Sequence, residues 1–232
     1  MQFGNSVDDP ETNHYPAFHV PRQGTAKMTN RLSVAVVLFE GFELLDVFGP
    51  LEMFGLLPEQ FEIFLVSESG DIVASSQGPK SLVDYRFEAC PTSDILLVPG
   101  GSGTRREVGN PVLLGWLQSQ AKTVQYVTSV CTGSALLAAA GLLDGRRATT
   151  NKAAFAWVVS QGKRVDWQKQ ARWVEDDDFF TSSGVSAGID MSLALIARIS
   201  GQETAEQLAV WAEYEWHRDP TWDPFALSYR LV

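Results

Sequence analysis

Residues 126–136 read YVTSVCTGSAL. The run up to Val130 is apolar and β-branched, the composition of a strand buried on both faces, and the chain restarts at Gly133 as small, helix-compatible residues. Cys131 stands at the junction, where Val or Ala would fill a buried corner with no risk of oxidation. A strand that turns directly into a helix is the repeating unit of a parallel α/β sheet, and the rest of the chain repeats it. LSVAVVLF (32–39), PLEMFGLL (50–57), FEIFLVSE (61–68), DILLVPGG (94–101) and PVLLGWLQSQ (111–120) alternate strand-like with helix-like patterns up to VQYVTSV (124–130). This predicts an α/β sandwich: a mostly parallel sheet with helices on both faces.

The turn-rich SSQGPKS, between short β-type pieces from Ile72 to Tyr85, predicts a small hairpin. ARWVED and DFFTSS flank the acidic turn Asp176–Asp178 and predict a second β pair, followed by a helix starting near Ser186. The final stretch, EYEWHRDPTWDPFALSYRLV, is too rich in Pro and Trp for a regular helix and is expected to pack over the domain surface. Residues 1–30 mix Pro, Asn, Gly and charge without periodicity, so they are expected to form an N-terminal extension, with Met28 an alternative start. Residues 31–232 form the domain.

The chain has 232 residues, 45% of them hydrophobic, enough to bury one sizeable core. Its formal charge of −10, with no Lys/Arg block, argues against nucleic acid or an anionic membrane as partner and favours a small molecule. The two cysteines, Cys90 and Cys131, form no C-x-x-C pair and no cluster with metal-ligand spacing, so neither a disulfide framework nor a metal site is expected. Without a membrane-span pattern or a secretory leader, the expected location is cytoplasmic.

In an open parallel sheet, ligands collect at the carboxyl ends of the strands. Three candidates fall at such ends: Asp46, the Gly100–Gly101 pair, and Cys131. A thiol at a helix start feels the helix dipole, which favours thiolate and makes Cys131 a candidate nucleophile. The N–H groups of Thr132 and Gly101 could form an oxyanion site, and Asp46 could carry the proton. Blander readings exist for each: Cys131 as a small buried hydrophobe, Asp46 as organiser of the turn before Gly49–Pro50, and Pro-Gly-Gly as a simple turn. Cys90 reads as structural. Gly101–Thr104 is no phosphate loop, lacking Gly-Lys-Ser/Thr, and Glu175–Asp178 lacks the Gly and terminal Glu of a calcium loop.

The motifs LLDVFGPLEMF, ACPTSDILLVPGGSGT, YVTSVCTGSALLAAAGLLDGRRATTNKAAF and TSSGVSAGIDMSLAL, in this order from about Leu32 to about Ala205, resemble the ThiJ/PfpI (DJ-1-like) superfamily, most closely its isocyanide hydratase branch. The resemblance implies a flavodoxin-like homodimer with its clefts near the subunit boundary. It makes Cys131 the elbow nucleophile, Asp46 its acid, and Gly101 with Thr132 the oxyanion lining. Where many members carry a histidine after A-T-T this chain has Asn151, which can orient a ligand but cannot relay a proton at neutral pH. The implied activity is hydration of an isocyanide to an N-substituted formamide through a covalent thioimidate, without cofactor. The alternatives are a non-catalytic, redox-responsive thiol protein, or an enzyme acting on another small electrophile such as an α-oxoaldehyde.

Overall fold

The computed structural model describes residues 31–70 and 72–232. The proposed extension, with His14, His19 and Met28, lies outside the described residues. Along the chain run β1 (Leu32–Val37), α1 (Leu44–Gly55), β2 (Phe61–Ser67), β3 (Ile72–Ala74), β4 (Lys80–Leu82), β5 (Tyr85–Arg86), β6 (Ile95–Val98), α2 (Thr104–Glu107), α3 (Pro111–Gln120) and β7 (Tyr126–Ser129). There follow α4 (Gly133–Ala139), β8 (Arg147–Ala148), α5 (Phe155–Gln161), β9 (Asp166–Trp167), β10 (Trp173–Asp176), β11 (Phe179–Ser182), α6 (Ala187–Ser200), α7 (Gln202–Trp211) and α8 (Phe225–Ser228).

The main sheet has seven strands in the order β10-β11-β7-β6-β1-β2-β5, all pairings parallel except β10 with β11. Its central strands are apolar because both faces are covered: Val34–Val37 of β1 and Ile95–Val98 of β6 are fully buried. From β1 the chain steps through α1 to β2 in one direction, whereas from β6 it steps through α3 to β7 in the other. Right-handed crossovers then put α1 and α3 on opposite faces. Accordingly α6 packs on α1 and α7, while α4 packs on α2, α3 and α5. The reversal between β1 and β6 opens a crevice at their carboxyl ends, where the chain delivers Asp46, Gly100–Gly101 and, one strand over, Cys131.

The β3–β4 hairpin, the β10–β11 pair and the helix beginning after Ser186 fall where the sequence places them. Helix α3 starts as expected, with Pro111 at its first position and the Asn110 side chain accepting from the N–H groups of Val112 and Leu113. Two features depart from expectation. The first is α1, which starts at Leu44 and runs through Pro50, so Asp46 sits inside its first turn instead of in a loop. The second is the β8–β9 parallel pair, too short to leave a periodic signal. The C-terminal stretch is irregular apart from α8, as expected, but its aromatics divide: Tyr214 and Trp216 pack against the core, while Phe225 and Tyr229 stay exposed.

Close backbone approach locks the elbow after β7. A Cβ on Gly133 would lie 2.2 Å from the Val98 carbonyl oxygen and 2.8 Å from that of Pro99. Gly133→Ala is therefore expected to destabilise the protein by about 1–3 kcal/mol despite alanine's better helix propensity, because the obstacle is backbone. Chemical denaturation of wild type and variant measures this.

Candidate functional site

Cys131 has φ +57°, a left-handed conformation that a non-glycine residue keeps only when its surroundings over-determine it. Here they do. Its N–H donates to the Ser183 carbonyl at 3.0 Å, and its carbonyl accepts from the hydroxyls of Thr150 at 2.9 Å and Ser134 at 3.1 Å. The turns after β11 and β8 and the first turn of α4 thus all hold the main chain of this one residue.

Asp46 is fully buried, and the Gly100 N–H donates to its Oδ2 at 2.8 Å. Its other oxygen has no well-formed hydrogen-bond partner among the described residues. The carboxyl lies within interaction range of the Cys131 thiol and of the Val185 N–H. Gly49 and Gly188 permit this placement: a Cβ on Gly49 would meet Ile189 Cγ1 at 2.8 Å, and one on Gly188 would meet Val130 Cγ1 at 2.8 Å. Bare backbone at both positions lets α1 and α6 close on the β7 elbow.

Gly101, at φ +126°, cannot carry a side chain, since a Cβ would lie 2.3 Å from the Gly41 carbonyl oxygen. Its N–H is already engaged, donating to Thr132 Oγ1 at 3.1 Å. The N–H groups that face the thiol are those of Thr132 and Val185, joined by the Asn151 side chain. Asn151 is oriented by the Ala154 N–H, which donates to its Oδ1 at 2.9 Å, and its Nδ2 occupies the space a Cβ on Gly184 would need. Sequence reasoning missed Val185. Its side chain is unremarkable chemically, but its N–H faces both Cys131 and Asp46, in a turn where its φ is +50°, rare for a β-branched residue.

The electrostatics differ from the dipole argument. Burial pushes the Cys131 thiol well above its usual range, and the neighbouring Asp46 charge pushes it further. A helix terminus contributes at most about 2 kcal/mol, or between one and two pKa units, whereas full burial moves a group by about 3–5 units. Helix α4 is only seven residues long and Cys131 is 7% exposed, so burial wins. Burial likewise raises Asp46 to about 8, with Glu43 adding to the effect and the Gly100 N–H opposing it. The two acids titrate as a coupled pair, and the proton lost near 8 belongs to both. Cys90 is half-buried, its thiol on the Pro91 carbonyl, and its surroundings supply desolvation alone.

Residues 32–198 match the DJ-1/PfpI family. The chain belongs to this family. It is 37% identical over 183 residues to an isonitrile hydratase of Pseudomonas putida, covering 79% of this chain and 78% of that protein. Among solved structures, a ThiJ/PfpI family protein from Pseudomonas syringae superimposes with a TM-score of 0.71 at 30% identity, covering 87% of this chain and 84% of that one. An AraC family transcriptional regulator from Pseudomonas putida shares the fold, with a TM-score of 0.68 at 20% identity over 78% of this chain and 99% of that one. The flavodoxin-like sandwich is thus the family's fold. Among the described residues, no group of three or more His, Cys, Asp and Glu side chains could hold a metal ion, and no helix is long and apolar enough to cross a membrane.

A carboxyl raised by burial contributes stability that is complete below its unfolded pKa and is lost as pH rises through its folded pKa, here from about 4 to about 8. Asp46→Asn removes that loss. The melting temperature of the variant relative to wild type is expected to climb as pH rises across this window, and a difference that stays constant would show an ordinary carboxyl.

Proposed function

We propose that the protein hydrates isocyanides to N-substituted formamides, with Cys131 as nucleophile and Asp46 as proton carrier. The observation that carries this reading is the buried acid–thiol pair, with no base of the histidine type beside it among the described residues. The one described histidine, His217, sits in the C-terminal segment, where its N–H donates to Asp190 Oδ1. The likeness to an isonitrile hydratase supports the same choice.

The reactive form of the pair holds one proton. With that proton on Asp46 and the charge on sulfur, the thiolate adds to the terminal isocyanide carbon, which takes the Asp46 proton, giving a neutral thioimidate and a carboxylate. The carboxylate then removes a proton from the attacking water. Asp46 passes that proton to the thioimidate nitrogen, and as the C–S bond breaks it takes the proton of the remaining hydroxyl, so that sulfur leaves as thiolate and the product is an N-substituted formamide. The sum is isocyanide plus water, with no electron transfer and the pair restored. The Thr132 and Val185 N–H groups and the Asn151 amide stabilise negative charge on sulfur during this cycle. A soft, uncharged carbon electrophile suits a site that admits little water.

The same burial disfavours the redox-sensor reading, since sulfenic acid formation follows thiolate character and exposure. The family resemblance carries with it a homodimer, checked by light scattering at micromolar concentration.

Cys131→Ala is expected to abolish formamide formation and Asp46→Asn to lower it by roughly 100-fold or more, because the first removes the covalent route and the second the proton carrier. Asn151→Ala, which removes one of three donors to sulfur, should cost about tenfold. Wild-type protein that turns over no alkyl or aryl isocyanide would refute the proposal. For the active enzyme, kcat/KM should rise with pH and level off above about 8, as the pair loses its first proton.

A further inference from the structure

Behind the site lies a second buried polar cluster that the proposed chemistry does not use. Arg172 donates through Nε to Asp190 Oδ2 at 2.8 Å, and its Nη2 lies 2.7 Å from the same oxygen and 3.3 Å from Ser186 Oγ. Asp190 Oδ1 also accepts from the Tyr214 hydroxyl at 3.1 Å and the His217 N–H at 2.9 Å, and the Asp190 carbonyl accepts from the Trp216 indole at 3.2 Å. Lys152 Nζ donates to the Ala171 carbonyl at 2.6 Å, Thr149 Oγ1 at 2.8 Å and the Thr150 carbonyl at 3.4 Å. Asp223 lies between the two cations, 4.0 Å from Lys152 Nζ and 3.9 Å from Arg172 Nη1. Lys152, Arg172, Asp190 and Asp223 are all more than nine-tenths buried, two cations against two anions.

The cluster is adjacent to the thiol's donors on both sides. Lys152 follows Asn151 and grips Thr150, whose hydroxyl holds the Cys131 carbonyl. Arg172 grips Ser186, the neighbour of Val185, and its own carbonyl accepts from the Ser183 N–H at 2.8 Å while the Ser183 carbonyl holds the Cys131 N–H. Tyr214, Trp216, His217 and Asp223 all come from the irregular C-terminal segment, which is further tied down by the Arg172 N–H on the Pro220 carbonyl at 2.8 Å. A segment with almost no regular structure of its own therefore supplies the counter-charge and hydrogen bonds that fix two turns of the active site.

We propose that the C-terminal segment 213–223 is a positioning device: through Asp223 on Lys152 and Tyr214 on Asp190–Arg172, it sets where the Asn151 amide and the Val185 N–H stand against the Cys131 thiol. Asp190, Arg172, Lys152, Tyr214 and Asp223 are positioning residues that touch no reacting atom. A buried charge left unpaired moves or draws in water, so loosening one partner displaces the turns it holds. The inference rests on Cys131 being the functional thiol but not on the identity of its substrate.

The test is the rate of Cys131 alkylation by iodoacetamide as a function of pH, followed by peptide mapping, in wild type, Tyr214→Phe, Asp223→Asn and Phe61→Ala. Phe61 begins β2, at the sheet end away from the site, and its truncation destabilises without touching the cluster. Tyr214→Phe is expected to slow alkylation at neutral pH roughly threefold and Asp223→Asn roughly tenfold, both with the rate profile displaced to higher pH, because misplaced donors stabilise the thiolate less. Phe61→Ala should leave the profile in place. Unchanged profiles in Tyr214→Phe and in Asp223→Asn, or an equal displacement in Phe61→Ala, would overturn the inference. Should Asp223→Asn fail to fold, Tyr214→Phe, which loses a single hydroxyl, decides alone. A displaced profile in a protein that hydrates no isocyanide would refute the proposed function and leave this inference standing.

Discussion

A carboxyl and a thiol closed into one apolar corner cannot both ionise, and the architecture around the β7 elbow follows from that constraint. Asp46 is fully buried, Cys131 is nearly so, and among the described residues no cation stands beside either. The pair therefore gives up its first proton only near 8 and keeps a second beyond it, and the groups that decide where that remaining proton rests are backbone N–H groups and one amide. These donors are neutral, so they stabilise charge on sulfur only when close and well aimed. Hence the rigid features that surround them: left-handed Cys131 and Val185, the glycines at 49, 133 and 188 that let backbone close in, and carbonyls gripped by hydroxyls.

Stability and chemistry pull against each other at this point. A leucine-like residue at position 46 would fill the corner without desolvating a carboxyl, and a glycine at 131 would relieve the left-handed turn. The fold tolerates both liabilities because the sheet beneath is continuous and apolar, with β1, β6 and β7 sealed on two faces. A functional site that violates local preference on a scaffold that otherwise obeys it is the pattern expected of a working enzyme.

Much of this was legible in the sequence. The strand-to-helix switch at Cys131 and the Gly-Gly after β6 announced a crevice at the strand ends, and the alternation of patterns announced the parallel sheet. Asp46 could be named but not placed, because Pro50 looks like a first helical residue when it lies within α1, where its missing N–H leaves the Asp46 carbonyl without its helical bond. Val185 was beyond reach, since it acts through a main-chain N–H whose direction depends on a left-handed turn that Ser-Gly-Val-Ser does not advertise. The Lys152–Arg172–Asp190–Asp223 cluster was equally hidden, drawn from distant segments that meet only once the C-terminal stretch folds back. The sign of the thiol's shift was misread for a definite reason: position along the chain shows a helix start, but not the burial that outweighs it.

The central claim is a carboxyl that keeps its proton at neutral pH beside the thiol. Infrared difference spectroscopy across a pH titration reads it directly through the carbonyl stretch of a protonated carboxyl. The account predicts such a band at neutral pH, fading as pH passes about 8 and absent from Asp46→Asn. A spectrum in which every carboxyl band has vanished by about pH 6, as ordinary aspartates and glutamates require, would contradict it.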